Sequence, residues 1–312
     1  MKTQSHECFC CGSSLEGATI IWDKTNDDSL YVKMFDDEGT EVHTKSVMCS
    51  GCGLVQVYNP LTYESLDELY DYQEKYGSSM YRHLYPLQEN ELEIHMHTMF
   101  DIISRHKLLP KQAKMLDIGS GSDLIVKELH NSGFKDIYIS DKGVNSEFNI
   151  YNKHTTETFD LVTMSNTLEH FHNPVKGLEY AASLTKQDGM ILVIVPDLIN
   201  THIGIPLNAW FSAAHMYHFD WFSFSRVMKR AGLYPVIFTE VLEPAGIKIC
   251  AVLSKYPGAV LSKYPGGNFE VPPFTNYEVK LKTRHIESIN LAFNIRKEIL
   301  TEKIAKGWKK NV

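Results

Sequence analysis

Apolar residues along this chain change their period several times, and each change marks a different kind of element. Short apolar runs fall at 114–118, 136–140, 159–164, 190–195, 235–241 and 246–253. Runs this short, bounded by turn residues, read as buried strands. Helical spacing fills most of the gaps; one stretch runs from Asp123 to His130 and stops at Gly133. Strands alternating with helices predict an α/β fold whose mainly parallel sheet is covered on both faces. The last two runs are joined by Glu243-Pro244-Ala245-Gly246, a tight connection that predicts an antiparallel hairpin at the sheet edge. Upstream, residues 64–109 carry helical periodicity through Leu66, Leu69, Tyr70, Leu92, Met96, Met99 and Ile103, ending at Pro110. This layer is expected to cap the cleft. Residues 22–45 read as irregular strands and turns. Beyond Pro272-Pro273, apolar positions Ile286, Ile289, Leu291, Ile295 and Ile299 predict amphipathic helices, which would pack on the domain or against a second copy in a homodimer. The divisions that follow are 1–60, 61–112, 113–254 and 255–312.

With 312 residues, 43% of them hydrophobic, the chain can build one large domain plus an appendage, or two domains. Its net charge of −7 gives no general attraction to nucleic acid or anionic lipid. The clearest basic patch is Lys306-Gly307-Trp308-Lys309-Lys310. No 18-residue apolar run occurs and the start lacks a signal-like apolar stretch, so a soluble, cytoplasmic protein without a membrane partner is expected. Ala-Val-Leu-Ser-Lys-Tyr-Pro-Gly occurs at 251–258 and again at 259–266. Eight residues are too few for a solenoid repeat; the first copy is expected to finish the last strand and the second to loop out.

Cysteine usage changes the picture of the front. Five of the six cysteines lie at 8, 10, 11, 49 and 52, the sixth being Cys250. Cys8-x-x-Cys11-Gly12 and Cys49-x-x-Cys52-Gly53 are two matched knuckles, each aiming two thiolates at one ion above a turn that glycine permits. One knuckle alone would leave a redox pair open; two predict a zinc ribbon. Four protein ligands leave no open coordination position, so the zinc is expected to be structural. Cys10 reads as a spare thiol and His6 as a substitute ligand.

The candidate chemistry lies further on. Met115-Leu-Asp117-Ile ends in Gly119-Ser-Gly121, where two residues without Cβ let the backbone turn sharply and a ligand approach it. The following helix would aim its N-terminus into a cleft at the carboxyl edge of the sheet. Asp141 stands 20 residues past this loop, where a carboxylate can accept two hydrogen bonds from a cis-diol; a surface turn is the alternative. Asn166 to His170 follow the next strand at the same edge.

Together with Phe159-Asp-Leu-Val-Thr-Met and Met190-Ile-Leu-Val-Ile-Val-Pro196, these motifs resemble the cofactor half of class I S-adenosylmethionine-dependent methyltransferases. The run from Cys49 to Pro60 resembles the zinc-binding front of bacterial sugar methyltransferases, including the deoxysugar C-methyltransferases. Glu74 to His83 is similar to their tyrosine- and serine-bearing stretch beside the active site, which assigns Tyr76 and Ser79 to it. The resemblance covers most of residues 8–254. It implies a Rossmann-like methyltransferase fold and S-adenosylmethionine held by Asp117, Gly119, Gly121, Asp141 and Asn166. It further implies a cleft lined by Glu169 and His170, and a small sugar-type acceptor linked to surface-polysaccharide synthesis. His215 to Ser225 is similar to a family segment in which His-Glu-His-Phe precedes Phe-Ser, and on that match His218 is the acid–base residue. An imidazole near its usual pKa of about 6.5 suits that work; a structural histidine is the other reading.

Three positions depart from the family. Asp123 replaces the third glycine, Tyr217 the glutamate of His-Glu-His and Met216 the histidine before it. Only 17 residues separate Asp141 from Phe159, too few for a helix, a strand and two loops, so the helix after the second strand is expected to be missing. Two other readings stand beside the sugar methyltransferase. One is an rRNA methyltransferase with a zinc finger, which the acidic balance argues against. The other is a methyltransferase-like binding module without activity. A nicotinamide dehydrogenase is disfavoured because its third glycine would fall at Leu124.

Overall fold

A computed structural model describes residues 6–25, 43–60, 62, 64–65, 91–106, 108, 110, 112–151, 157–201, 210–211, 214–243 and 246–257. Tyr76, Ser79, the second octapeptide, the C-terminal helices and the terminal basic patch lie outside these residues.

The front contributes strands β1 (Thr19–Thr25), β2 (His43–Met48) and β3 (Val55–Val57). Helix α1 (Glu91–Arg105) follows, then β4 (Met115–Ile118), α2 (Leu124–Asn131), β5 (Ile137–Ser140) and β6 (Phe159–Ser165). A 3-10 turn (Leu168–His170) leads to α3 (Pro174–Leu184) and β7 (Thr185–Thr201). The described chain continues with β8 (Tyr217–His218), α4 (Trp221–Arg230), β9 (Tyr234–Glu243) and β10 (Gly246–Ser254).

Six strands form a sheet in the order β5-β4-β6-β7-β10-β9. The first four are parallel, and β10 runs antiparallel to both β7 and β9. This is the mixed α/β fold the apolar runs predict, with the expected edge hairpin. Residues 251–254 of the first octapeptide finish β10.

Period-two alternation explains how one strand serves two layers. In β7, Ile191, Val193 and Val195 join one apolar cluster, while Leu192 and Ile194 join the other. Leu178 and Ala181 of α3 and Phe224, Val227 and Met228 of α4 cover the first face. Met99, Ile102 and Ile103 of α1, with Ile125, Val126 and Leu129 of α2, cover the second. The described part of the predicted cap, α1, is thus a layer on one face of the sheet. Local signals start both helices of the first face. Asn173 caps α3 by accepting from the Lys176 N–H at 3.1 Å, with Pro174 in the first turn. Asp220 and Ser223 form a capping box on α4.

The second sheet has the order β1-β2-β3-β8. Its last strand comes from the far half of the chain: Val55 pairs with His218 and Gln56 with Tyr217. The front therefore shares a sheet and an apolar cluster with the α/β part, in which Cys8, Cys10, Cys49 and Cys52 are continuous with Met216, Tyr217 and Phe219.

At the outer edge of β5, no described residue between 141 and 151 is helical. A compact loop returns instead, making one parallel bridge from Asn149 to Ile139. Asn149 staples it: its side-chain NH2 donates to the carbonyls of Asp141 and Val144, each at 2.6 Å, and its oxygen accepts from the Tyr151 N–H at 2.9 Å.

Candidate functional site

Parallel strands end at one edge, and the sequence places polar residues at those ends. Asp117, on β4, is 2% exposed and accepts a hydrogen bond from the Thr163 hydroxyl at 2.5 Å. Burial raises its carboxyl to about 6, although the Thr163 and Ser120 bonds oppose the shift. Gly119 and Gly121 both have positive φ, 67° and 63°. A Cβ at Gly119 would lie 2.3 Å from Thr167 Cγ2. The glycine is thus required by the protein's own packing. Thr167 in turn donates its hydroxyl to the Gly119 carbonyl at 3.1 Å.

Asp141 ends β5 and reaches back to the same loop. Its Oδ2 accepts from the Gly121 N–H and its Oδ1 from the Gly143 N–H, both at 2.8 Å. Each oxygen keeps a second lone pair for a ligand. Asp123 stands at the N-cap of α2 without a capping bond and pairs with Lys127 at 2.9 Å. Asn166 is the one non-glycine residue at positive φ among the described residues, at 49°, a conformation that costs about 1–3 kcal/mol and clusters at functional sites. Lys248, 5% exposed on β10, donates to its side-chain oxygen at 3.0 Å.

The 3-10 turn after β6 carries Glu169, 2% exposed, and His170. His170 donates Nδ1–H to the Ala214 carbonyl at 2.9 Å, and its ring lies 4.9 Å from that of His215. Burial first, and His215 second, push its imidazole down to about 3. His218 is 3% exposed, its ring centroid 4.5 Å from Phe211. Burial holds it well below its ordinary value, and its Nε2 has no hydrogen-bond partner among the described residues. His170 and His218 thus both lie against His215, while Asp117, the two glycines and Asp141 meet at the loop and Asn166 precedes Thr167, which is bonded to it. Tyr217, where the family has glutamate, is buried and donates its hydroxyl to the His172 carbonyl at 2.6 Å. That hydroxyl serves structure.

The sequence reading passed over Thr163, Thr167, Asn149 and Lys248. Lys248 had a visible signal: a lone charge inside the apolar run Gly246–Ser254. The threonines had none, because β-branched residues are ordinary in strands.

At the front, the Sγ atoms of Cys8, Cys11, Cys49 and Cys52 all lie within 4.8 Å of one another. The two knuckles are built alike. Cys8 N–H donates to Ser13 O at 2.8 Å and Gly12 N–H to Cys8 O at 2.7 Å; the matching bonds from Cys49 and Gly53 measure 2.9 and 2.8 Å. Gly51 N–H donates to Cys49 Sγ at 3.3 Å. Neighbouring sulfurs, then burial, push the Cys8 and Cys52 thiols far above their ordinary value. Four sulfurs this close together could share one cation. This donor set fits zinc. Cys10 is buried beside Cys52 and stays outside the four.

Residues 92–236 match the methyltransferase domain family. That match, on this fold, supports a methyltransferase. The matched segment opens within α1. Similar solved structures include a Burkholderia thailandensis 1,6-didemethyltoxoflavin-N1-methyltransferase with bound 1,6-didemethyltoxoflavin and S-adenosylhomocysteine. It is 15% identical over 65% of this chain and 95% of that one, with a TM-score of 0.47. An S-adenosylmethionine-dependent methyltransferase from Clostridium acetobutylicum is 10% identical over 62% and 98%, with a TM-score of 0.38. One from Mesorhizobium loti is 12% identical over 48% and 95%, with a TM-score of 0.36. No curated protein matches the chain significantly. Among the described residues, no helix is long and apolar enough to cross a membrane.

Proposed function

We propose that this methyltransferase acts on a small polar acceptor, a nucleotide-linked sugar or a surface-polysaccharide precursor. The observation that carries the reading is the joining of two motif sets. The strand that follows the second cysteine knuckle pairs with His218, within the segment that resembles the sugar methyltransferase acid–base run. On the donor side, Asp117, Gly119, Gly121, Asp141 and Asn166 would hold S-adenosylmethionine, with Tyr76 and Ser79 assigned by resemblance. Its sulfonium supplies an electrophilic methyl group. The chain must then hold the acceptor in line, exclude water and manage one proton.

Glu169, His170 and His218 are proposed for the acceptor side. Imidazoles whose pKa is held down are weak bases. They suit orienting an acceptor hydroxyl, or drawing its proton in step with methyl transfer, better than prior deprotonation. The four cysteines are proposed to hold one structural zinc.

Calorimetry with S-adenosylhomocysteine tests the donor half, and methyl transfer from labelled S-adenosylmethionine to a panel of nucleotide-linked sugars tests the acceptor half. Binding with turnover of a panel member is expected. Labelling of RNA in place of every sugar would sink the acceptor assignment. A binding module without activity is the second reading, motivated by Asp123 and by the helix-free loop at 141–151; absence of S-adenosylhomocysteine binding would favour it.

A further inference from the structure

A second group of metal-ligating atoms lies away from the cysteines, at the carboxyl edge of the large sheet. Glu169, His170 and His215 each offer one ligand atom, and these atoms lie within 4.8 Å of one another. They come from two parts of the chain, the 3-10 turn after β6 and the segment before β8. The carboxylate residue is buried and the two histidines are half-buried.

Hydrogen bonds set the tautomer of each ring. His170 Nδ1 is 2.9 Å from the Ala214 carbonyl, and His215 Nδ1 is 3.0 Å from the Trp210 carbonyl. A carbonyl oxygen only accepts, so both Nδ1 atoms carry hydrogen and each neutral ring keeps its lone pair on Nε2. Backbone carbonyls fixing the tautomer in this way are the outer support that metal-binding histidines ordinarily have. Two such imidazoles beside a buried carboxylate gather acceptor atoms in a volume with little water, which favours a cation among them. We propose that Glu169, His170 and His215 form a second metal site, taking a divalent transition-metal ion of the kind that prefers imidazole and carboxylate over thiolate.

Three protein ligands leave coordination positions open. Thr167, two residues before Glu169, is bonded to Gly119, so the ion would sit beside the glycine loop. An acceptor hydroxyl bound there would become more acidic. That role rests on the methyl-transfer reading; the binding of the ion does not.

The test uses tag-free, full-length protein with zinc in the cysteine cluster, dialysed against cobalt(II) chloride and then against buffer, with metals counted by mass spectrometry. Wild type should keep one zinc and one cobalt per chain. Glu169→Gln preserves side-chain size and His215→Asn keeps an N–H donor near the Nδ1 position that faces the Trp210 carbonyl, so both should melt like wild type without cobalt and bind cobalt at least tenfold more weakly in calorimetry. X-ray absorption of the wild-type complex should show nitrogen and oxygen around cobalt. Absence of cobalt from wild type, equal retention by both variants, or sulfur in the cobalt shell would each overturn the proposal. All of these measurements are made without donor or acceptor, so failure of the methyl-transfer reading remains a separate result.

Discussion

Gly119 shows how closely one residue can be constrained. Its φ of 67° penalises any side chain, and a Cβ there meets Thr167 at 2.3 Å. Gly119→Ala should cost about 1–3 kcal/mol in urea unfolding and abolish S-adenosylhomocysteine binding. Adding Thr167→Ala removes the collision and leaves the strained backbone, so the pair should recover only part of the stability. Asp117 gives a pH test. Its folded carboxyl, raised to about 6, keeps its proton over a range in which the unfolded chain, near 3.9, releases it. Its contribution to stability therefore falls as pH rises from about 4 to 6, by about 3 kcal/mol, and stays level above. Asp117→Asn should gain on wild type by that amount across this window; parallel stability curves would show that the carboxyl is not shifted. His218 acts the other way. The unfolded chain takes its proton below about pH 6.5 while the buried ring refuses it, so stability is lost as pH falls through that value. Asp141→Ala should weaken S-adenosylhomocysteine binding by about 1–3 kcal/mol, and Asp141→Asn should lose less, because the amide oxygen can still accept the Gly121 N–H. Equal binding by wild type and both variants would remove Asp141 from the site.

At the scale of elements, most of the α/β part was legible. Strand periods, the turn glycines and the Glu-Pro-Ala-Gly corner each act locally, and the sheet has the predicted edge hairpin. The knuckles were legible for the same reason, since spacing alone puts thiols over a glycine turn. What could not be read was every contact between distant elements. His218 shows it best: a resemblance assigns it a chemical role, yet its burial follows from pairing with Val55, which no local pattern announces. Asn149 is similar, a common turn residue whose hydrogen bonds hold the loop that stands where the short spacing predicts no helix. Metal content carries the prediction here. Freshly purified protein should hold zinc in the cysteine cluster, and Cys49→Ser should lose that zinc and unfold the front, because binding there is folding free energy. A native-like melt for zinc-free Cys49→Ser would contradict a structural role for the ion.

Taken as a whole, the molecule joins its two ends through one small sheet. The sequence predicts a division at residue 60, and across that point the front sheet takes β8 as its last strand and shares its apolar cluster with Met216, Tyr217 and Phe219. Residues 61–312 produced alone should aggregate, because an unpaired strand and an apolar face would be exposed; a monodisperse, cooperatively melting fragment would show the pairing to be dispensable. The same strand sets a delay during synthesis. Val55 and His218 lie about 160 residues apart, and chains leave the ribosome at about 5–20 residues per second, so the front waits roughly 10–30 s for its fourth strand. Through that interval the two knuckles can already close on their ion. The metal would then hold an incomplete sheet in register until the rest of the chain arrives.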